Sequence, residues 1–398
     1  MNHAAFADEL ARQAARLPLL RACPPEETLA AITPALPACG ITRSASVTYL
    51  DNLGVPIWVA VRPGGQILQI SNGKGVTDVA SQVSALMEAC ELHLAENPHP
   101  ARLWNASMAQ LAKDAPDGRI LSPAELPGNI GRYFTPDFLG EWTCGTDLGT
   151  GGRVWVPSSA VYFYRRPVLF ETGSNGLASG NTQAEARLHA IYELIERDAM
   201  CALVEGGRLR LRERGQRIDP DSVTFPVARL VLDRCAALGT QVVLMALPTA
   251  VAVSAIWAIF LSEHETVSTR TLVNPGFGAH VNPEVALMRA LTEAAQSRVA
   301  KIHGARDDLR FKLGAPIESR PYRVLKSLTP DTIWEDIEAR PRLALPDSPE
   351  AAVPRLVDAL IREGKGPVYE FDLSAPEKHL PCVRIIAPCL AFNRRLFG

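Results

Sequence analysis

Ser174-Asn175-Gly176-Leu177-Ala178-Ser179-Gly180-Asn181-Thr182 runs straight into Gln183-Ala184-Glu185-Ala186-Arg187-Leu188-His189-Ala190-Ile191-Tyr192-Glu193-Leu194-Ile195-Glu196-Arg197. A polar loop punctuated by glycine is followed by an amphipathic helix. At roughly 100° per residue, Glu193 and Glu196 share one face, and Glu185 lies on nearly the same line about three turns before Glu196. Like charges stacked in this way destabilise a bare helix. A positive group must offset them, and a divalent cation is the obvious candidate.

The pattern recurs twice. Ser71-Asn72-Gly73-Lys74-Gly75 precedes a helix carrying Glu88 and Glu91. Asn274-Pro275-Gly276-Phe277-Gly278-Ala279-His280 precedes a helix carrying Arg289, Glu293, Gln296 and Arg298. A lone Glu-x-x-Glu pair is ordinarily a solvated face. Here Leu86, Leu92, Leu188, Ile191, Leu194 and Ile195 occupy the same helices, and carboxylates among apolar residues recur in each unit. Oxygen-only clusters suit Mg²⁺, which keeps waters and bridges to phosphates. Arg197, Arg289 and Arg298 could hold phosphate oxygens in fork geometry. The expectation is one acidic, arginine-rimmed cavity, with Glu88, Glu91, Glu193, Glu196 and Glu293 within roughly 10 Å of one another, since a shared Mg²⁺ binds oxygen at about 2.1 Å.

These segments resemble the YcaO family of ATP-dependent enzymes that modify peptide backbones. The likeness is carried by Ser71–Gly75 with Ser84–Glu91, by Ser174–Arg197, and by Gly276–Arg298 with its Gly-Phe-Gly-Ala-His opening and Thr-Glu-x-x-Gln-x-Arg close. It extends from about Ile41 to about Pro388. The resemblance implies that ATP is held through Mg²⁺ by Glu88, Glu91, Glu193, Glu196 and Glu293. It implies nucleotide or phosphate contacts for Asn181, Glu185, Arg197 and Arg289, with Gln296 and Arg298 matching the same motif. The family also places a basic residue and a serine from the N-terminal part near the nucleotide, for which Arg43 and Ser46 are loose candidates. The implied reaction phosphorylates an amide oxygen so that a nucleophile can replace it. Such an enzyme works by positioning and charge neutralisation and needs no side-chain nucleophile. The absence of Gly-x-Ser-x-Gly, Walker A and His-Glu-x-x-His patterns agrees.

Azoline-forming relatives commonly end in a proline-rich tail, whereas Ala387–Gly398 here holds only Pro388. Gly40–Arg43, Leu50–Pro56 and Trp58–Pro63 are similar to members that work with a TfuA-type partner and are linked to thioamides. The expected product is therefore a thioamide made with an external sulfur source. The alternatives are an azoline-forming cyclodehydratase whose tail is supplied by a partner, and a non-catalytic ATP-binding scaffold. A TfuA-like or other partner is expected to deliver the peptide or the sulfur, because residues 1–40 look too short for a winged-helix peptide clamp. A homodimer is left open.

Composition fits an enzyme with a sizeable core: 398 residues, 47% of them apolar, and a net charge of −2. That charge argues against nucleic-acid or anionic-membrane partners. The eight cysteines form no Cys-x-x-Cys pair and read as reduced thiols in a cytoplasmic protein. His189 and His280 read as structural. Residues 1–18 carry Asp8 and Glu9 and do not read as a targeting peptide. The apolar run 242–261 contains Pro248 and reads as two strands rather than a membrane span.

The expected layout is an α/β fold of layered helices and sheets. Residues 1–40 form an N-terminal helical extension and 41–398 the catalytic domain. Strands are expected at 46–50, 57–61, 67–70, 241–246, 255–261, 368–372 and 383–386. Helices are expected near 227–237 and 354–362. The Pro- and charge-rich stretch 305–352 reads as a surface excursion, and strand pairs before helices point to weak internal repetition.

Overall fold

The computed structural model describes residues 3–14, 21–127, 134–164, 169–170, 173–205, 208–262, 273–305, 320–344, 346–375 and 380–392. Helices α1 (His3–Ala14) and α2 (Pro25–Ile32) come first. Strands β1 (Arg43–Ser46), β2 (Ile57–Val61) and β3 (Ile70–Lys74) form an antiparallel sheet in that order, and α3 (Asp78–Glu96) packs across it. A second sheet contains β4 (Trp104–Ala106), β5 (Arg119–Ile120), β6 (Gly140–Asp147), β7 (Arg153–Pro157), β8 (Leu177–Ser179), β15 (Tyr369–Asp372) and β16 (Cys382–Ile386). Its order is β5-β7-β6-β15-β16-β8, with β4 also on β6. Helix α4 (Met108–Asp114) lies between β4 and β5, and α5 (Gln183–Ala202) lies on β8 and β16.

After the short pair β9 (Val204–Glu205) and β10 (Arg208–Leu209) and helix α6 (Leu211–Arg214), a third antiparallel sheet runs β11 (Gln216–Ile218), β12 (Thr240–Leu247), β13 (Ser254–Ser262), β14 (Val273–His280). Helix α7 (Pro226–Ala237) packs on β12, and α8 (Pro283–His303) packs on β13 and β14. Helices α9 (Arg320–Lys326), α10 (Trp334–Glu338) and α11 (Pro349–Arg362) follow. No described helix is long and apolar enough to cross a membrane.

The expected glycine loops before the carboxylate helices are in fact strands: β3, β8 and β14. Their glycines serve close packing. A Cβ on Gly73 would stand 2.1 Å from the Ala85 nitrogen and the Ser81 oxygen of α3. A Cβ on Gly276 would stand 2.1 Å from the Ala294 nitrogen of α8. Each strand thus lies directly on the backbone of the helix it introduces. The helices begin alike, with Thr77 accepting from the Ala80 amide, Thr182 from the Glu185 amide and Asn282 from the Glu284 amide. Each helix also touches the strand of another unit: α3 touches β8, α5 touches β14 and α8 touches β3. The three strand–helix units close into a ring.

Other boundaries shift for local reasons. Strand β1 ends at Ser46 because Thr48 turns its hydroxyl to the Ile57 amide at 3.0 Å, and Thr48–Leu50 becomes a 3₁₀ turn. The stretch 305–352 is more than a surface excursion: Trp334 is fully buried, Ile337 and Tyr322 are buried, and the Trp334 amide donates to Ser222 Oγ at 2.8 Å. Residues 306–319 of that stretch, and 393–398 of the expected proline-poor tail, lie outside the described residues. The first forty residues pack into the shared cores. Phe6 and Leu10 of α1 join α7 and α8, while Ile32 and Cys39 join α3.

Gly276→Ala should lower stability by about 1–3 kcal/mol, the usual magnitude for overpacking. Gly64→Ala, where nothing lies within 4 Å of the new Cβ, should change stability by less than about 0.5 kcal/mol. Urea midpoints compare them, and equal losses would show that the crossing is not tight.

Candidate functional site

The ring brings acids on the middle turns of α3, α5 and α8 close enough to act on one another. Arg197 lies between Glu193, at 3.8 Å, and Glu196, at 3.7 Å. Lys74, at the end of β3, donates to Glu293 of α8. Glu91 of α3 accepts from the Ser179 amide at 2.8 Å and from its hydroxyl at 2.5 Å. The side chains of Lys74, Glu193, Arg197 and Glu293 keep between 20% and 24% of their surface exposed, so a ligand can reach them.

Electrostatic coupling links all five acids. Burial pushes Glu91 up to about 8; the Ser179 bonds oppose this, and the charges of Glu88 and Glu193 add to it. Burial raises Glu193, against Arg197 and Arg384, with Glu293 adding. Burial lifts Glu196 to about 7, with Arg197 opposing and Glu293 adding. For Glu293, burial acts upward, but Lys74 and Arg197 together pull it below the ordinary carboxylate range. The acids therefore form a linked set spanning three helices. Among the described residues, no three His, Cys, Asp or Glu side chains stand at ligand spacing around one point. Arg197 and Lys74 occupy the neutralising positions among the carboxylates.

Asn181 and Glu185 meet the N-terminal segment. Glu185 accepts from Arg21 Nη1 at 2.5 Å, from the Ala22 amide at 3.3 Å, and from Asn181 through its amide at 3.3 Å and its Nδ2 at 3.0 Å. Thr28 donates to Asn181 Oδ1 at 2.7 Å. Arg289 contacts His189, Nη2 to Nε2 at 3.2 Å. Burial, followed by the charges of Arg289, Arg21 and Lys74, holds His189 well below its usual range, so its Nε2 accepts from Arg289. His280 is likewise pushed down to about 3, by burial first.

Two motif residues are placed elsewhere. Arg298 donates to Asp51 at 2.9 Å and also to Ser262, and Gln296 donates to the Asn72 carbonyl at 2.5 Å. Gln296 therefore ties α8 to β3. The loose candidates Arg43 and Ser46 are also elsewhere: Arg43 is an exposed β1 residue opposite Val61, and Ser46 bonds Thr48. The basic and hydroxyl residues near Asn181 and Glu185 are instead Arg21 and Thr28. Lys74 faces Glu293, and the charge of Arg384 acts on Glu193 from β16. Lys74 was visible in the Ser71–Gly75 motif. Arg384 comes from a strand far along the chain that carries no motif of its own.

The donor set fits a magnesium nucleotide. Buried acids pushed toward protonation gain from a divalent cation. Arg289 Nε is buried and has no hydrogen-bond partner, as expected of a group that awaits an oxygen ligand.

Residues 72–391 match the model of a family described as YcaO cyclodehydratase, ATP- and Mg²⁺-binding. The chain is 38% identical over 293 residues to an uncharacterized protein of Mycobacterium tuberculosis, covering 72% of this chain and 63% of that one. It thus spans about 63% of the length of that curated relative. It is 33% identical over 382 residues to a protein in the tfuA 3′ region of Rhizobium leguminosarum bv. trifolii, covering 93% and 88% of the two chains. Among solved structures it is similar to the YcaO of Methanopyrus kandleri bound with AMPPCP and Mg²⁺, with a TM-score of 0.74, 26% identity and coverage of 94% and 93%. It shares its fold with a heterocyclase in complex with substrate and cofactor, with a TM-score of 0.76, 20% identity and coverage of 94% and 53%.

The raised acids set a pH dependence. A carboxyl whose folded pKa rises from 4.5 to about 8 contributes stability that is fully present below 4.5 and is lost as pH climbs through 8. The depressed histidines act oppositely, their contribution falling away below the usual 6.5. Without nucleotide, the urea midpoint should therefore fall as pH is raised from about 7 to about 8.5, a window set by Glu91. Glu91→Gln should flatten that slope. A parent midpoint that does not change across the window would refute the assignment.

Proposed function

Because the chain belongs to the YcaO family, we propose that it is an ATP- and Mg²⁺-dependent enzyme that activates a peptide backbone amide by phosphorylating its oxygen. The observation that carries this reading is the cleft in which Glu91, Glu193, Glu196 and Glu293 are interleaved with Arg197, Lys74 and Arg289. In this reading the acids Glu88, Glu91, Glu193, Glu196 and Glu293 hold Mg²⁺. Asn181, Glu185, Arg21 and Thr28 hold the nucleotide, and Arg197 and Arg289 receive phosphate oxygens. Bound Mg²⁺ would neutralise phosphate charge. The chain's own residues orient the phosphates and keep the arginines fixed, His189 pinning Arg289. The N-terminal helical extension, residues 1–40, is then part of the working site through Arg21 and Thr28.

The amide oxygen attacks the terminal phosphorus, and the bond to ADP breaks. A nucleophile then adds at carbon, and phosphate leaves with the former amide oxygen. We read the nucleophile as external sulfide, giving a thioamide. The relative from the tfuA 3′ region, similar over 93% of this chain, supports that choice and a TfuA-type partner. The second reading, cyclodehydration by a Cys, Ser or Thr of the peptide, is favoured by the family's description.

Mg²⁺–ATP should raise the melting temperature by mass action, and Glu193→Gln or Glu196→Gln should remove most of that shift without unfolding the chain. If both variants are stabilised as the parent is, the metal assignment fails. Arg21→Ala should weaken nucleotide binding by about tenfold, the loss of one charge-assisted hydrogen bond, as read by calorimetric titration.

Enzyme, candidate partner, sulfide, ATP and Mg²⁺ incubated with a peptide should give a product heavier by the exchange of oxygen for sulfur. Oxygen label from the backbone carbonyl should appear in phosphate. Loss of water dependent on Cys, Ser or Thr would move the protein to the second reading.

A further inference from the structure

Beside the Glu193 end of the cleft, strand β16 pairs with β8, placing Arg384 opposite Leu177. Arg384 is 8% exposed. Its Nη2 donates to the Gly173 carbonyl at 2.6 Å, and its Cζ lies 5.9 Å from the centre of the Phe163 ring. The guanidinium is thereby fixed along one edge and one face. Its Nη1 is buried and has no partner. Glu193 is the foremost charge acting on it. Gly173 opens the turn that leads into β8. In that turn Leu177 donates to the Ser174 carbonyl at 2.8 Å, and Gly176, at φ +77°, accepts from the Ile385 amide at 2.7 Å. The same turn carries Asn175, whose Oδ1 is also buried without a partner. One turn and its paired strand thus hold a buried unpaired donor and a buried unpaired acceptor. A buried polar atom left unpaired is costly to the fold.

A phosphate could satisfy Arg384 Nη1, but it has no hydrogen to offer Asn175 Oδ1. An extended peptide residue turns its own C=O and N–H to the same side, as in antiparallel pairing, and supplies both. Resting on the reading of the chain as an enzyme of backbone amides, we propose that Arg384 and Asn175 seat one extended residue of the substrate peptide. The carbonyl of that residue is held by Arg384 Nη1 and its N–H by Asn175 Oδ1, beside Glu193. The seat recognises backbone and leaves the side chain unread.

The test uses the full chain with isotope-labelled arginine side chains, saturated with Mg²⁺–AMPPCP. The Arg384 signal is assigned by its disappearance in Arg384→Lys. The probe is N-acetylalanine N-methylamide, and the control is the same compound methylated on the alanine nitrogen. The Arg384 signal should shift on titration with the probe, with the control binding at least fivefold more weakly. Asn175→Ala should weaken the probe at least fivefold, while Asn175→Asp, which keeps an acceptor, should retain binding. No shift, or equal shifts for probe and control, overturns the proposal, and the parent alone gives that answer should a variant melt early. Stabilisation by Mg²⁺–AMPPCP should be the same in Arg384→Lys and Asn175→Ala as in the parent. Its loss in either variant would mean that the residue serves the nucleotide and would overturn the seat. Failure of the parent itself to be stabilised would instead sink the nucleotide reading, while the Arg384 signal still decides the seat.

Discussion

The site depends on strands being able to lie on helix backbones. At Gly73 and Gly276 a Cβ would meet backbone atoms at 2.1 Å, and at Gly180 it would stand 2.7 Å from the Ala186 nitrogen. Removing the Cβ sets each strand about one side chain closer to its helix than ordinary packing allows. The helix then rides low enough on its own strand to touch the strand of another unit. Closure of α3 on β8, α5 on β14 and α8 on β3 follows, and the middle turns of three helices face a common centre. Residues distant in sequence meet because of that closure.

The like charges that look unfavourable on a single helix become tolerable once other elements supply cations. These cations are of two kinds, separated by geometry. Arg62 grips Glu96 in a fork at 2.6 and 2.8 Å, and the Ile67 amide adds a third bond at 3.0 Å. The Glu96 carboxylate is fully engaged, while Arg62 Nε is buried without a partner, and despite the upward effect of burial the Arg62 bonds hold Glu96 below the ordinary range. Arg197, by contrast, stands 3.7 and 3.8 Å from its two carboxylates, beyond hydrogen-bond reach. It neutralises them without saturating them.

The repeated acids were legible because the helical period writes them at fixed spacing. Glu88 with Glu91 and Glu193 with Glu196 can be placed on a shared face from numbering alone. Glycine before a helix, however, is equally compatible with a turn and with a tight crossing. Only the neighbouring backbone distinguishes them, and so β3 and β14 read as loops. Arg21 and Thr28 are hidden because nothing local ties a basic residue in a proline-rich connector to Glu185, 164 residues away. Arg298 misled for the opposite reason: it sits within a motif, yet its helical angle carries it to Asp51 and Ser262. Trp334 lies in a stretch whose composition reads as surface, but one large apolar ring anchors it.

The acids of α5 are set apart by their surroundings more than by their position. Glu185 and Glu196 are each 3% exposed. Glu185 accepts four hydrogen bonds, from Arg21, from the Ala22 amide and from Asn181 twice. Its oxygens are committed to ordering the connector and Asn181. Among the described residues Glu196 has no such donors and relies on Arg197 at 3.7 Å, so that burial lifts it to about 7. A hard cation competes poorly for a carboxylate already bonded four times and well for one that is buried and undersupplied. The proposed division, with Glu185 on the nucleotide side and Glu193 with Glu196 on the metal side, therefore follows from hydrogen-bond supply along a single helix.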